Sequence, residues 1–144
     1  MIKTTNYEIS KKLAEIGFKA KAEKCWAKIK HSVQHPSLSE FNLVNLDFAV
    51  PQNCDEWVLS HDLETLLDAL PKAFDVMQEI YPTGFHLNID LNENAQTFSY
   101  IEDGLLSLQE HHEEAFVVKT QEESLADVAG RMIIALHKKN LIKF

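Results

Sequence analysis

The chain has 144 residues, of which 45% are hydrophobic and 25% charged, the composition of one ordinary folded domain spanning residues 1–144 rather than of a disordered or fibrous chain. No apolar run approaches the roughly 20 residues that a membrane helix requires, and no apolar signal core lies near the start, so a cytoplasmic protein without a membrane partner is expected. The net charge of −8 is unevenly placed: residues 1–30 carry eight Lys against three Glu, residues 31–118 carry sixteen acids against the single Lys72, and residues 119–144 carry five bases against three acids, so the acidic middle repels phosphate and no nucleic-acid partner is expected.

In chain order, Ile9, Leu13 and Ile16 recur at helical spacing, which predicts a helix from about Asn6 to Ile16 with Gly17 as its stop and Phe18 folding back onto its apolar face. The stretch from Lys19 to Lys30 fits either state: Ala22, Trp26 and Ile29 suit a helix, whereas Cys25 and Trp26 favour a strand. Cys25 and Cys54 form no CxxC pair and read as two ordinary thiols in a reducing compartment. From Glu40 to Val50, Phe41 and Leu43 alternate before the phase slips through Val44, Leu46 and Phe48, which predicts a strand with a bulge.

Ser60 is read as the N-cap of a second helix, with Asp62 and Glu64 in its first turn and Leu63, Leu66, Leu67 and Leu70 as its stripe up to Pro71. Phe74, Met77 and Ile80 predict a further short helix over Ala73 to Ile80, broken by Tyr81, Pro82, Thr83 and Gly84. Phe85, Leu87, Ile89 and Leu91 then alternate with polar residues, and after Asn92 to Gln96 a β-favouring run from Thr97 to Ile101 completes a hairpin. A third strand is expected at Phe116 to Val118, within Ala115 to Lys119. The last helix follows, capped by Thr120 with Glu123 or by Ser124 with Asp127. Its stripe is Leu125, Val128, Ala129, Met132, Ile133 and Leu136, its end is marked by Lys138, Lys139 and Asn140, and Gly130 within it signals close approach of another element. The fold class expected is α+β: an antiparallel sheet of about three to five strands packed against two or three helices, with the Ser60 and Ser124 helices on one face.

Several motifs fail on inspection. Asp90, Asn92 and Asn94 open like a calcium loop, but Ala95 stands where Gly is needed and Ile101 where the closing Glu is needed, so they read as a hairpin turn. His111, His112, Glu113 and Glu114 start like a zinc-protease helix, but the second His of the metal pair is replaced by Phe116. Cys25, His31 and His35 lack the other half of a zinc finger. No metal and no cofactor is therefore expected, and no Gly-rich phosphate loop occurs. His61 and His86, with His111 and His112, are the candidate catalytic groups. His61 beside Asp62 lies at a helix start, where sequence neighbours point apart, and His86 falls on the polar side of its strand.

Three stretches together, YEISKKLAEIGF (Tyr7 to Phe18), SHDLETLLDALP (Ser60 to Pro71) and ESLADVAGRMIIALHKKNLI (Glu123 to Ile142), resemble small uncharacterised bacterial and prophage-encoded proteins, over about a third of the chain. The resemblance implies an arrangement of capped helices, and a strand in the aromatic segment after Gly-Phe, here Cys25 to Lys30. It brings no catalytic residue with it. The resulting expectation is a non-enzymatic binding or accessory protein of phage or mobile-element origin, engaging a protein partner or a second copy through charged faces. The alternative is a small hydrolase whose His and carboxylate groups come from separate segments.

Overall fold

A computed structural model of the chain describes residues 3–29, 41–48, 54–78, 81–92, 94–103 and 113–144. The first helix, α1 (Tyr7–Glu15), begins because the Asn6 side chain accepts a hydrogen bond from the Ile9 N–H at 2.9 Å, satisfying a donor that the helix leaves open. It ends where Gly17 takes φ +89°, a left-handed conformation that a side chain disfavours, and the Phe18 N–H returns to the Leu13 carbonyl at 3.0 Å. Phe18 is thereby buried on the α1 face, as its position after Gly17 predicts.

The ambiguous segment is a strand, β1 (Lys24–Ile29), at the centre of a three-stranded antiparallel sheet of order β2-β1-β3, with β2 at Phe41–Asn45 and β3 at Cys54–Ser60. Cys25 stands opposite Val44 and Leu59, and Trp26 opposite Leu43 and Val58. The phase slip after Val44 is the end of a strand rather than a bulge, for Leu46–Phe48 form a single helical turn, α2, whose Leu46 N–H bonds to the Glu23 carbonyl at 2.8 Å. Glu40, Ala49 and Val50 lie outside the described residues. β3 was not anticipated.

A buried polar hub ties this sheet to the start of the chain. The Thr5 carbonyl accepts from Ser60 Oγ at 2.6 Å, Trp26 Nε1 at 2.8 Å and Ser10 Oγ at 3.3 Å, while the Thr5 hydroxyl lies 2.7 Å from Ser10 Oγ and accepts from the His61 N–H. Thr5, Ser10 and Ser60 are all buried, so their hydrogen bonds offset a desolvation cost that any missing partner would leave exposed. Ser60 is therefore no helix cap. The cap of α3 (Leu63–Ala69) is Asp62, whose carboxylate accepts from the Thr65 N–H at 2.8 Å.

A second antiparallel sheet has the order β4-β5-β6-β7, with β4 at Ala73–Gln78, β5 at Tyr81–Leu91, β6 at Gln96–Glu102 and β7 at Glu113–Val118. The helix predicted from Ala73 is thus the strand β4 over residues 73–78, and residues 79 and 80 lie outside the described ones. Pro82 to Gly84 do not break the pattern either: they belong to β5. Pro82 is tolerated there because β6 pairs with β5 only from Phe85 onward, so at Pro82 the strand has β4 alone as its partner. The hairpin and third strand are as predicted, with Asn92 and Asn94 in the turn.

The core forms where α4 (Leu125–Lys138) crosses the inner face of this sheet. Val128, Ala129, Met132, Ile133 and Leu136 of α4 are fully buried with Phe85, Phe98, Tyr100 and Val117 of the sheet, Ile9 and Leu13 of α1 and Leu66 of α3. Each large side chain so buried contributes about 1.5–3 kcal/mol. Ser124 and Asp127 form the reciprocal capping box of α4, and the Asp127 carboxylate also accepts from the Asn6 N–H at 2.6 Å, joining the starts of α4 and α1. Gly130 permits the crossing: a Cβ there would lie 2.6 Å from Ile9 Cγ2. The fold is α+β with antiparallel strands, divided among the described residues between two sheets of three and four.

Candidate functional site

The four candidate histidines are not gathered into one site by the described residues. His61 sits between β3 and α3 and is 1% exposed. Its Nε2 lies 2.8 Å from the Ala20 carbonyl, which can only accept, so Nε2 carries the proton and Nδ1 is the bare acceptor. Nδ1 is buried with no hydrogen-bond partner. Burial lowers the pKa of His61 from its usual value, and the opposing influences of the Ala20 carbonyl and the Asp62 charge are smaller. The ring packs edge-on against Phe18, with centroids 4.7 Å apart. It is a neutral core histidine.

His86 projects from the opposite face of the other sheet. Its Nδ1 lies 2.5 Å from Asp103 Oδ1, and both side chains are about half exposed, at 47% and 53%. Sequence reading missed Asp103, which the β5–β6 pairing delivers from 17 positions away with no local signal. Gly84 keeps the space: a Cβ there would lie 2.8 Å from Asp103 Oδ2 and 3.3 Å from Asp75 Oδ1. His86 and two carboxylates thus share one exposed end of the sheet. His111 and His112 lie outside the described residues, as do His31 and His35. Among the described residues no group of three or more His, Cys, Asp or Glu side chains is arranged to hold a metal ion.

The calcium-like run is occupied by its own backbone. Asp90 Oδ1 accepts from the Asn92 N–H at 3.1 Å, and Asn92 Oδ1 accepts from the Asn94 N–H at 2.8 Å, successive side-chain-to-backbone turns that use the same oxygens a cation would need.

A half-open cleft of about 680 Å³ lies on the side of the three-stranded sheet nearest α3. Four of the eight lysines in residues 1–30 line it: Lys3, Lys19, Lys21 and Lys24, all exposed, with the Lys24 ammonium donating to Asn45 Oδ1 at 3.4 Å. Its floor is apolar, from Ala22, Leu46 and Leu59, and two carboxylates, Glu23 and Asp62, stand among the lysines. Hydrogen bonds from the backbone and side chain of Thr65 lower the Asp62 carboxyl below its usual range, so it is charged at neutral pH. At the wall, Thr4 is only 8% exposed and its hydroxyl has no hydrogen-bond partner. The sequence signal for this cleft was the charge of residues 1–30; the signal did not say that Lys3 and Thr4 and the loop after Gly17 meet in space.

No helix among the described residues is long and apolar enough to cross a membrane. Comparison with known proteins returns no matching family, no matching curated protein and no matching solved structure.

Proposed function

We propose that this chain is a non-enzymatic binding or accessory protein, cytoplasmic and of phage or mobile-element origin by its resemblance, that engages a protein partner or a second copy through its charged faces. The observation that supports this reading is the partition of charge in the fold. Four lysines line one cleft together with the two carboxylates of Glu23 and Asp62, while Asp75, Asp90 and Glu113 of the four-stranded sheet, and Asp103 just after β6, stand exposed. Separate faces of opposite sign steer association and fix its orientation more than they add raw affinity.

The hydrolase alternative draws support from His86 and Asp103, a hydrogen-bonded pair built from separate segments. It would use His86 as general base, oriented by Asp103.

Affinity capture from the native host with the full chain, followed by reconstitution with the purified partner, tests the reading. The expected partner is released between 0.1 M and 1 M salt, as the screening length falls from about 10 Å to about 3 Å. A partner whose binding ignores salt, or a captured compound that the chain converts and that H86A no longer converts, contradicts it.

A further inference from the structure

We infer that the lysine-lined cleft beside α3 is a docking site for an acidic, partly apolar peptide segment of a partner protein. This rests on the binding reading above and adds the site and the chemistry of its occupant.

Charge and surface type choose the occupant together. Lys3, Lys19 and Lys21 line the cleft with exposed side chains whose ammonium charge matches carboxylates, while the Lys24 ammonium at its edge donates to Asn45 Oδ1 at 3.4 Å. The apolar floor of Ala22, Leu46 and Leu59 asks for something to cover it, which a string of phosphates lacks. Glu23 and Asp62 settle the choice further. An evenly charged polyphosphate backbone would meet these two carboxylates as repulsion wherever it passes them. A peptide carries donors as well as acids, so its backbone N–H groups can face Asp62 and Glu23 while its acidic side chains face the lysines. The volume of about 680 Å³ falls within the range of small-ligand and short-segment sites.

The test uses the full chain and a short fluorescein-labelled peptide of alternating Glu and Leu, followed by fluorescence polarisation. Saturable binding is expected at 0.1 M salt and is lost at 1 M. The double variant K19E/K21E changes two exposed side chains and weakens binding about tenfold or more, because each reversal replaces an attraction with a repulsion. K138E/K143E, which alters lysines outside the cleft, leaves binding unchanged; near-UV circular dichroism confirms that both variants are folded. A wild-type chain that does not bind the peptide overturns the inference. So does equal binding by K19E/K21E, or tighter binding of the matching Lys-Leu peptide or of a single-stranded oligonucleotide. The two proposals fail separately: a salt-released partner that K19E/K21E still binds removes the cleft and keeps the charged-face reading, whereas a partner indifferent to salt removes the reading itself.

Discussion

At the scale of single residues, the structure turns on a few positions where an atom has no room or no partner. Gly130 is the clearest. Alanine is the better helix former by about 1 kcal/mol, yet its Cβ would lie 2.6 Å from Ile9 Cγ2 and 3.3 Å from Thr5 Cγ2. Ile9 is β-branched and stiff at χ1, so α1 itself must move. G130A is expected to lose about 1–3 kcal/mol of stability through overpacking, read as a lower urea midpoint; a gain in stability would show that the helices do not cross here. His61 gives a pH signature. Its folded pKa is below the unfolded value of about 6.5 because burial disfavours the imidazolium. The unfolded chain therefore binds a proton that the folded one refuses. The stability tied to this group is complete above the unfolded pKa and is lost as pH falls through that value toward the folded one. Urea midpoints measured between about pH 7.5 and 5.5 should fall for the wild type and fall less for H61Q; parallel slopes would place His61 in contact with water.

Among the elements, legibility followed whether a pattern had one physical solution. The last helix was readable in full because its stripe of six apolar residues, its Ser124–Asp127 box and its Asn140 end, at φ +61°, all specify the same object. The segment at Ala73 was not, because Phe74, Met77 and Ile80 satisfy a helical spacing while Phe74 and Val76 equally satisfy a strand. Pairing with β5 decides for the strand, putting Phe74 and Val76 against the core and leaving Met77 exposed at 68%. Ser60 was misread for a related reason: a hydroxyl before a leucine stripe looks like a cap whether it serves the helix or, as here, a carbonyl 55 positions away. The capping box also yields a graded test. S124A removes one acceptor and should cost about 1 kcal/mol. D127A strands the Asn6 and Ser124 N–H groups at a buried junction and should cost about 2–3 kcal/mol, measured by thermal or urea unfolding. Equal losses would mean that Asp127 does no more than cap its own helix. Opposite the cap, the Arg131 guanidinium grips Glu123 at 2.7 and 2.6 Å and the Val118 carbonyl at 2.5 Å. Desolvation raises the Glu123 pKa, but the hydrogen bonds from Thr120 and Arg131 and the Arg131 charge outweigh it, and the net shift is downward. With Lys139 donating to the Glu114 carbonyl, two cations bind main-chain carbonyls of β7, an edge strand of its sheet, and another strand pairing through those carbonyls would have to displace them.

On the scale of the whole molecule, the sequence made the charge partition visible but not its shape. Eight lysines in residues 1–30 say only that a basic surface exists. That four of them face one cleft depends on the Thr5 hub, which pins the start of the chain to β1 and β3, and on the reversal at Gly17, which turns Lys19 and Lys21 back beside β3. Such long-range hydrogen bonds leave no periodicity to read. The same holds for His86 and Asp103, joined only by strand register. The two sites make the competing readings spatially distinct, since the cleft lies against the three-stranded sheet and the His–Asp pair on the outer face of the four-stranded one. Amide chemical shifts recorded while the Glu-Leu peptide is added to the labelled full chain therefore test the binding role most directly. The expected perturbations fall on Lys3, Lys19 to Lys24, Leu59 and Thr65 and vanish in 1 M salt; perturbations centred on Gly84, His86 and Asp103, or none at all, would contradict it.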